Sequence, residues 1–122
     1  MSKYDFIKNI SIIYTWVDGS ERSYRKLRDS YSSTKGITAR DRCYNELKYS
    51  LLSIKKNMPW HKGKIFLVTP NTRPKWLPDE IILVPQKEII PIKLQPTFNT
   101  NLIEFYLHKV PGITDYFIHM ND

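Results

Sequence analysis

Ile10-Ser11-Ile12-Ile13-Tyr14-Thr15-Trp16-Val17, closed by Asp18-Gly19-Ser20, is the most informative stretch of this 122-residue chain. It is dense in β-branched and aromatic residues and carries apolar side chains on both faces. That pattern fits a strand buried on two sides, as in a parallel sheet, and Asp-Gly-Ser ends it in a turn. Downstream the period changes. Tyr44, Leu47, Leu51, Ile54 and Met58 recur at three and four residues, one face of a helix over 43–57 that Pro59 closes. Lys64–Thr69 and Glu80–Val84 read as two more strands, each bounded by proline. The intervening residues 21–39 read as a polar, basic loop with one exposed helical stretch near Arg22–Tyr31. Residues 85–96 read as a proline-punctuated surface loop. Residues 101–109 read as a helix capped by Asn101 with Glu104 at N3, stopped by Pro111-Gly112. Tyr116–Met120 reads as a last strand, delivering Asn121 and Asp122. Strand, helix, strand, strand, helix, strand predicts an α/β fold with a mostly parallel sheet and flanking helices.

The composition is that of one globular domain: 41% apolar and 13% aromatic residues, far from the regime of disorder. Its apolar stretches are too short to span a bilayer, and the opening residues carry no secretory pattern. The single Cys43 excludes an internal disulfide and fits a reducing compartment. The net charge of +7 is uneven: fourteen lysines and arginines stand against six acids before residue 65, and five against six after it. A basic half suits an anionic partner, with a solvated basic surface as the even alternative. The cations form no arginine-rich block, which argues against nucleic acid.

Four constellations bear chemistry. Asp18-Gly19 follows the first strand, and in open α/β sheets ligands gather beyond the carboxyl ends of strands. Taken by position alone an ordinary turn is the commoner outcome, as a core role is for Trp16. Asn121-Asp122 follows the last strand; if the two strands are parallel neighbours, Asp18 and Asp122 share an edge where a hard cation can sit against a diphosphate. Glu104 and His108, four apart on a helix, can act as an oriented base or as an exposed pair. Arg40, Arg42 and Lys48 flank a helix start and form a phosphate site or a solvated face. Walker, dinucleotide, zinc and nucleophile-elbow motifs are absent.

Wording and order add what the single signals lack. Ile12-Ile-Tyr-Thr-Trp-Val-Asp-Gly-Ser20 resembles the first conserved block of the Stealth family. Asn45–Ile54, Met58-Pro-Trp60, Lys64–Thr69, Pro74–Leu77, Leu94–Asn99, Ile103-Glu104, Leu107–Gly112 and Phe117–Asp122 are similar to its second block. The resemblance makes residues 8–20 the first region and 40–122 the second, cut at its end, in a single nucleotide-sugar-transferase-like domain. It implies transfer of a hexose 1-phosphate from a nucleotide-sugar such as UDP-N-acetylglucosamine to a glycan hydroxyl in capsule or exopolysaccharide synthesis, with Mg²⁺ or Mn²⁺. On that basis Asp18 and Asp122 are expected to hold metal. His108, Glu104 and Asp122 are expected to serve catalysis, and Asp18, Gly19, Arg42, Asn99 and Asn121 to bind substrate. A cytoplasmic location, peripheral to the membrane, is expected, with nucleotide-sugar and glycan as partners and no nucleic acid. Two departures stand out: Arg42-Cys43-Tyr44 replaces the usual Arg-Asp-Asn, and the family's further Asp and later blocks are expected to be missing, which would leave an inactive fragment. The alternatives are a glycosyltransferase using the same donor and a basic glycan-binding module.

Overall fold

Ile12, Ile13 and Tyr14 are wholly buried, 0% exposed each, so the opening strand is covered on both faces as its unbroken apolar run requires. The computed structural model describes residues 5–31 and 45–121. Strand β1 (Ser11–Thr15) leads to helix α1 (Arg22–Tyr31) and helix α2 (Glu46–Asn57). Strands β2 (Ile65–Thr69) and β3 (Ile81–Pro85) follow, then helix α3 (Thr100–Phe105) and strand β4 (Phe117–Asn121). The four strands form one sheet in the order β3-β2-β1-β4, and every pair is parallel. The expected α/β class is what the chain adopts.

Alternation along β1 divides the core. Ile13 faces one cluster with Phe66, Val68, Ile103 and Leu107. Ile12 and Tyr14 face the other, with Leu47 and Ile54 of α2 and with Leu67. Thus α2 and α3 cover opposite faces. Right-handed crossovers demand this, because the chain steps from β1 to β2 in one direction and returns from β3 to β4 in the other. Leu47 and Ile54 are the fully inserted residues of the α2 stripe, with Leu51 and Met58 beside them; burying one such side chain contributes about 2 kcal/mol. Helix α1 has no buried residue, matching its weakly apolar sequence.

Two expectations need correction. The helix over 101–109 is two pieces, because hydrogen bonding tightens at Tyr106, whose N–H reaches Ile103, and Lys109 and Val110 likewise bond three residues back. Residues three apart eclipse in a 3₁₀ turn, which sets both Leu107 and Val110 against the sheet at 2% exposure. Its cap is Asn99, whose Oδ1 accepts the Asn101 N–H at 3.0 Å; Asn101 itself is not the cap. The 85–96 segment is also more than a surface loop. Pro85 and Pro91 precede 3₁₀ turns at Gln86–Glu88 and Ile92–Leu94, and Ile89 and Ile90 enter the core.

Candidate functional site

Parallel strands bring all their carboxyl ends to one edge. β1 lies between β2 and β4, so the β1–β4 junction is where the strand order reverses and where open α/β sheets leave a crevice. A cavity of about 230 Å³ occurs there, lined by Thr15, Trp16, Gln86, Thr100, Ile103 and Asn121 among others. A second, of about 510 Å³, opens over the ends of β2 and β3, between Leu27 of α1 and Phe98. Phe98 in turn contacts Tyr24 and Tyr31 of α1, ring centroids 6.1 and 6.3 Å away.

The register sets Thr15 beside Asn121. Thr15 Oγ1 donates to Asn121 Oδ1 at 3.0 Å and lies 2.9 Å from His119 Nε2. A hydroxyl has one proton, so His119 must donate through Nε2–H to the same oxygen. Beyond β1, Asp18 Oδ1 accepts the Ser20 N–H at 2.9 Å and the Ser20 hydroxyl, an Asx turn. Its second carboxylate oxygen has no hydrogen-bond partner among the described residues, which leaves a hard oxygen donor free at the edge.

Asn71, at 6% exposure, holds that turn in place from the end of β2. Its Oδ1 accepts the Asp18 N–H at 2.7 Å, and its Nδ2 donates to the Asp18 carbonyl at 2.9 Å. Nδ2 also reaches Glu21 Oε1 at 3.3 Å. Glu21 further accepts the Thr72 N–H and hydroxyl at 3.2 and 2.6 Å and the Ser23 hydroxyl at 3.0 Å. Partial burial pushes the Glu21 carboxyl up, but bonds from Thr72, Ser23 and Asn71 favour the anion and together leave it below the ordinary value of 4.5. Two loops from different strands are thereby clasped by one amide and one carboxylate.

Of the expected site residues, Asp18, the buried Gly19 and Asn121 meet at the carboxyl edge, and Asn99 caps the helix that begins there. Asp122 and Arg42 lie outside the described residues, as do Cys43 and Tyr44. Among the described residues neither Glu104 nor His108 hydrogen-bonds to the side chains of Asp18 or Asn121. Glu104 and His108 belong to separate helical segments, so the expected four-residue helical spacing is not kept. His108 sits in the turn returning the chain to the amino edge, where Thr114 exchanges hydrogen bonds with Ser11 at 2.9 and 3.2 Å. What orients His108 is a carbonyl: its Nδ1–H donates to Phe105 O at 3.0 Å, leaving Nε2 as the basic nitrogen. Trp16 is a core residue at 4% exposure, set edge-on to Trp76, although it also borders the smaller cavity. Among the described residues no three His, Cys, Asp or Glu side chains gather to hold a metal, and no helix is long and apolar enough to cross a membrane. Sequence reasoning passed over Asn71, Glu21 and Gln86. Asn71 and Gln86 come just past a strand end, and that placement was their available signal, whereas Glu21 follows the Asp18 turn.

Residues 8–36 match the model of Stealth protein conserved region 1, and residues 40–122 match that of conserved region 2. The chain belongs to the Stealth family. It is 38% identical to a capsular polysaccharide phosphotransferase of Actinobacillus pleuropneumoniae over 93% of its own length and 34% of the relative's. It is 36% identical to one of Neisseria meningitidis serogroup B over the same shares. With an exopolysaccharide phosphotransferase of Streptomyces coelicolor it shares 37% identity over 93% of this chain and 20% of the relative. The chain therefore spans about a third or less of these curated relatives. The first Stealth region comprises β1, the Asp18 turn and α1. The second holds β2, β3, α3 and β4, so the junction at Thr15 and Asn121 joins the two regions.

Proposed function

We propose that this chain forms the donor-holding part of a sugar-phosphate transferase. The enzyme would move a hexose 1-phosphate from a nucleotide-sugar to a glycan hydroxyl in capsule or exopolysaccharide synthesis. The observation that carries the reading is the parallel β1–β4 pairing, which brings the two family regions together around a cavity at the carboxyl edge; the Asp18 turn follows β1 at that edge. In this reading the acceptor oxygen attacks the phosphorus that bears the sugar. The bond from that phosphorus to the bridging oxygen breaks, the nucleoside monophosphate leaves, and the hydroxyl proton passes to a base. The Asp18 carboxylate, with Asp122 following Asn121 in sequence, would hold Mg²⁺ or Mn²⁺, which neutralises charge on the diphosphate when bound. Asn121 and the Asn99-capped start of α3 border the same space and suit hydrogen bonding to the donor. Arg42 is assigned a phosphate. Glu104 and His108 are the candidates for the base that takes the hydroxyl proton, His108 through Nε2. The chemistry suits the cytoplasmic face of the membrane, where nucleotide-sugars are available.

The test follows the nucleotide product. The complete enzyme of which this chain is the donor-holding part, incubated with UDP-N-acetylglucosamine, Mg²⁺ and a capsular oligosaccharide, should release UMP, and Asp18→Asn should lower turnover by at least about a hundredfold. Release of UDP would instead identify a glycosyltransferase. Unchanged turnover in the variant would remove Asp18 from the metal site.

A further inference from the structure

Four polar residues among the described ones are buried: Ser11, Thr69, Asn71 and Gln86. The first three are hydrogen-bonded through their side chains. Gln86, at 8% exposure, is not: among the described residues its amide gives and receives no hydrogen bond. Its backbone is firmly held, since its carbonyl accepts the N–H groups of both Ile89 and Ile90 at 3.1 Å. The neighbouring Gln95 shows the ordinary solution, its Nε2 donating to the carbonyls of Lys87 and Ile90. Neither amide atom of Gln86 is among the fully enclosed, unpartnered side-chain atoms of the described residues, so the amide of this largely buried residue still meets solvent and is available for pairing.

Gln86 lines both cavities at the carboxyl edge, the one at the β1–β4 junction and the one over β2 and β3. What access its side chain retains is therefore toward ligand space. Among the described residues the lining of the smaller cavity includes no charged side chain, so the part of it around Gln86 suits a neutral part of a ligand. We propose that Gln86 is a specificity-determining residue whose amide pairs with an uncharged ligand group presenting a hydrogen-bond donor and acceptor side by side. On a nucleotide-sugar that chemistry occurs in two places, the imide edge of a uracil base and the acetamido group of an N-acetyl sugar. The inference rests on the donor reading above and adds the residue that selects the donor.

The experiment pairs affinity with stability. Gln86→Met keeps length and removes the amide. Titration calorimetry with Mg²⁺ and UDP-N-acetylglucosamine should show affinity about tenfold weaker than wild type, while the thermal midpoint stays close to that of wild type because the amide bonds to no described residue. Equal loss with UDP alone assigns the base edge. Loss confined to UDP-N-acetylglucosamine, with UDP-glucose and UDP unaffected, assigns the acetamido group. Gln86→Glu, which keeps shape but replaces the NH₂ donor, should weaken binding in the same arm. In the wild-type chain, the Gln86 side-chain NH₂ resonances should move on adding the nucleotide that the variants lose. Unchanged affinity in both variants, with Asp18→Asn still weakening binding, overturns the role of Gln86 and leaves the donor reading standing. A midpoint that falls while affinity per folded molecule stays constant makes Gln86 structural and overturns it too. A wild-type chain that binds none of the three nucleotides overturns both readings.

Discussion

The two edges of the sheet are built from the same strands and differ in what they do with their polar groups. At the amino edge every named contact is closed. His61 Nε2–H donates to the Ile10 carbonyl at 2.6 Å, Lys62 N–H reaches Lys8 O at 2.6 Å, and Ser11 and Thr114 exchange bonds. At the carboxyl edge the groups divide. Asn71 and Glu21 are fully engaged in a clasp, whereas among the described residues the second Asp18 oxygen has no partner and the unpaired Gln86 side chain lines both cavities. The closed edge is where burial and hydrogen bonding stabilise the chain; the open groups add little to folding and are available to a ligand.

The largest effect should come from the closed edge. A Cβ built on Gly63 would stand 2.3 Å from the Ile10 carbonyl oxygen and 2.7 Å from Asn9 backbone atoms. Backbone cannot swing away as a side chain can, so Gly63→Ala should cost about 3 kcal/mol or more, the upper end for overpacking. Chemical denaturation would measure it. Nucleotide affinity per folded molecule should be unaffected, since Gly63 lies at the opposite end of the strands. A mild effect on stability would show that the amino edge is looser than its contacts indicate.

The clasp comes next and joins the two edges' behaviours. Asn71→Ala removes the amide that bonds both the N–H and the carbonyl of Asp18, leaving those groups to find water in a nearly closed site. We expect about 2 kcal/mol of destabilisation together with roughly tenfold weaker UDP-N-acetylglucosamine binding, because the Asp18 turn is freed. Hydrogen exchange at the Asp18 amide should quicken in the variant. If exchange quickens and affinity holds, the turn's position is irrelevant to the ligand, and the contrast between closed and open groups loses its functional meaning.

The fold was legible because its signals were redundant. An apolar run such as Ile10–Val17 and a stripe such as Leu47–Met58 state both type and burial, and a shift of one residue at an end changes little. The break at Tyr106 was illegible because Asn101–Lys109 has good helical spacing. What shortens it is the demand that Leu107 and Val110 both reach the sheet, a tertiary requirement. The site was legible where it follows a strand end in sequence, as at Asp18 and Asn121. Asn71 and Gln86 were missed because their importance lies in partners, fifty-three residues away for one and lacking for the other. A linear pattern records neither.

The smallest effect tests whether Glu21 belongs with the closed groups. Its carboxyl lies below the ordinary 4.5 because hydrogen bonds outweigh the opposing pull of burial. A group with a depressed folded value binds protons more readily when unfolded, so it adds stability above the unfolded value. That contribution is lost as pH falls through the folded one. Stability from urea titration should therefore decline as the solution is acidified below about pH 5, and Glu21→Gln should flatten part of that decline while remaining slightly less stable than wild type at neutral pH. Thr72 should report the same event, its amide losing protection relative to the intrinsic exchange rate on acidification in wild type and keeping a constant protection in the variant. An unaltered acid limb in Glu21→Gln would mean that the clasp holds through Asn71 alone and that Glu21 is a bystander on a solvated rim.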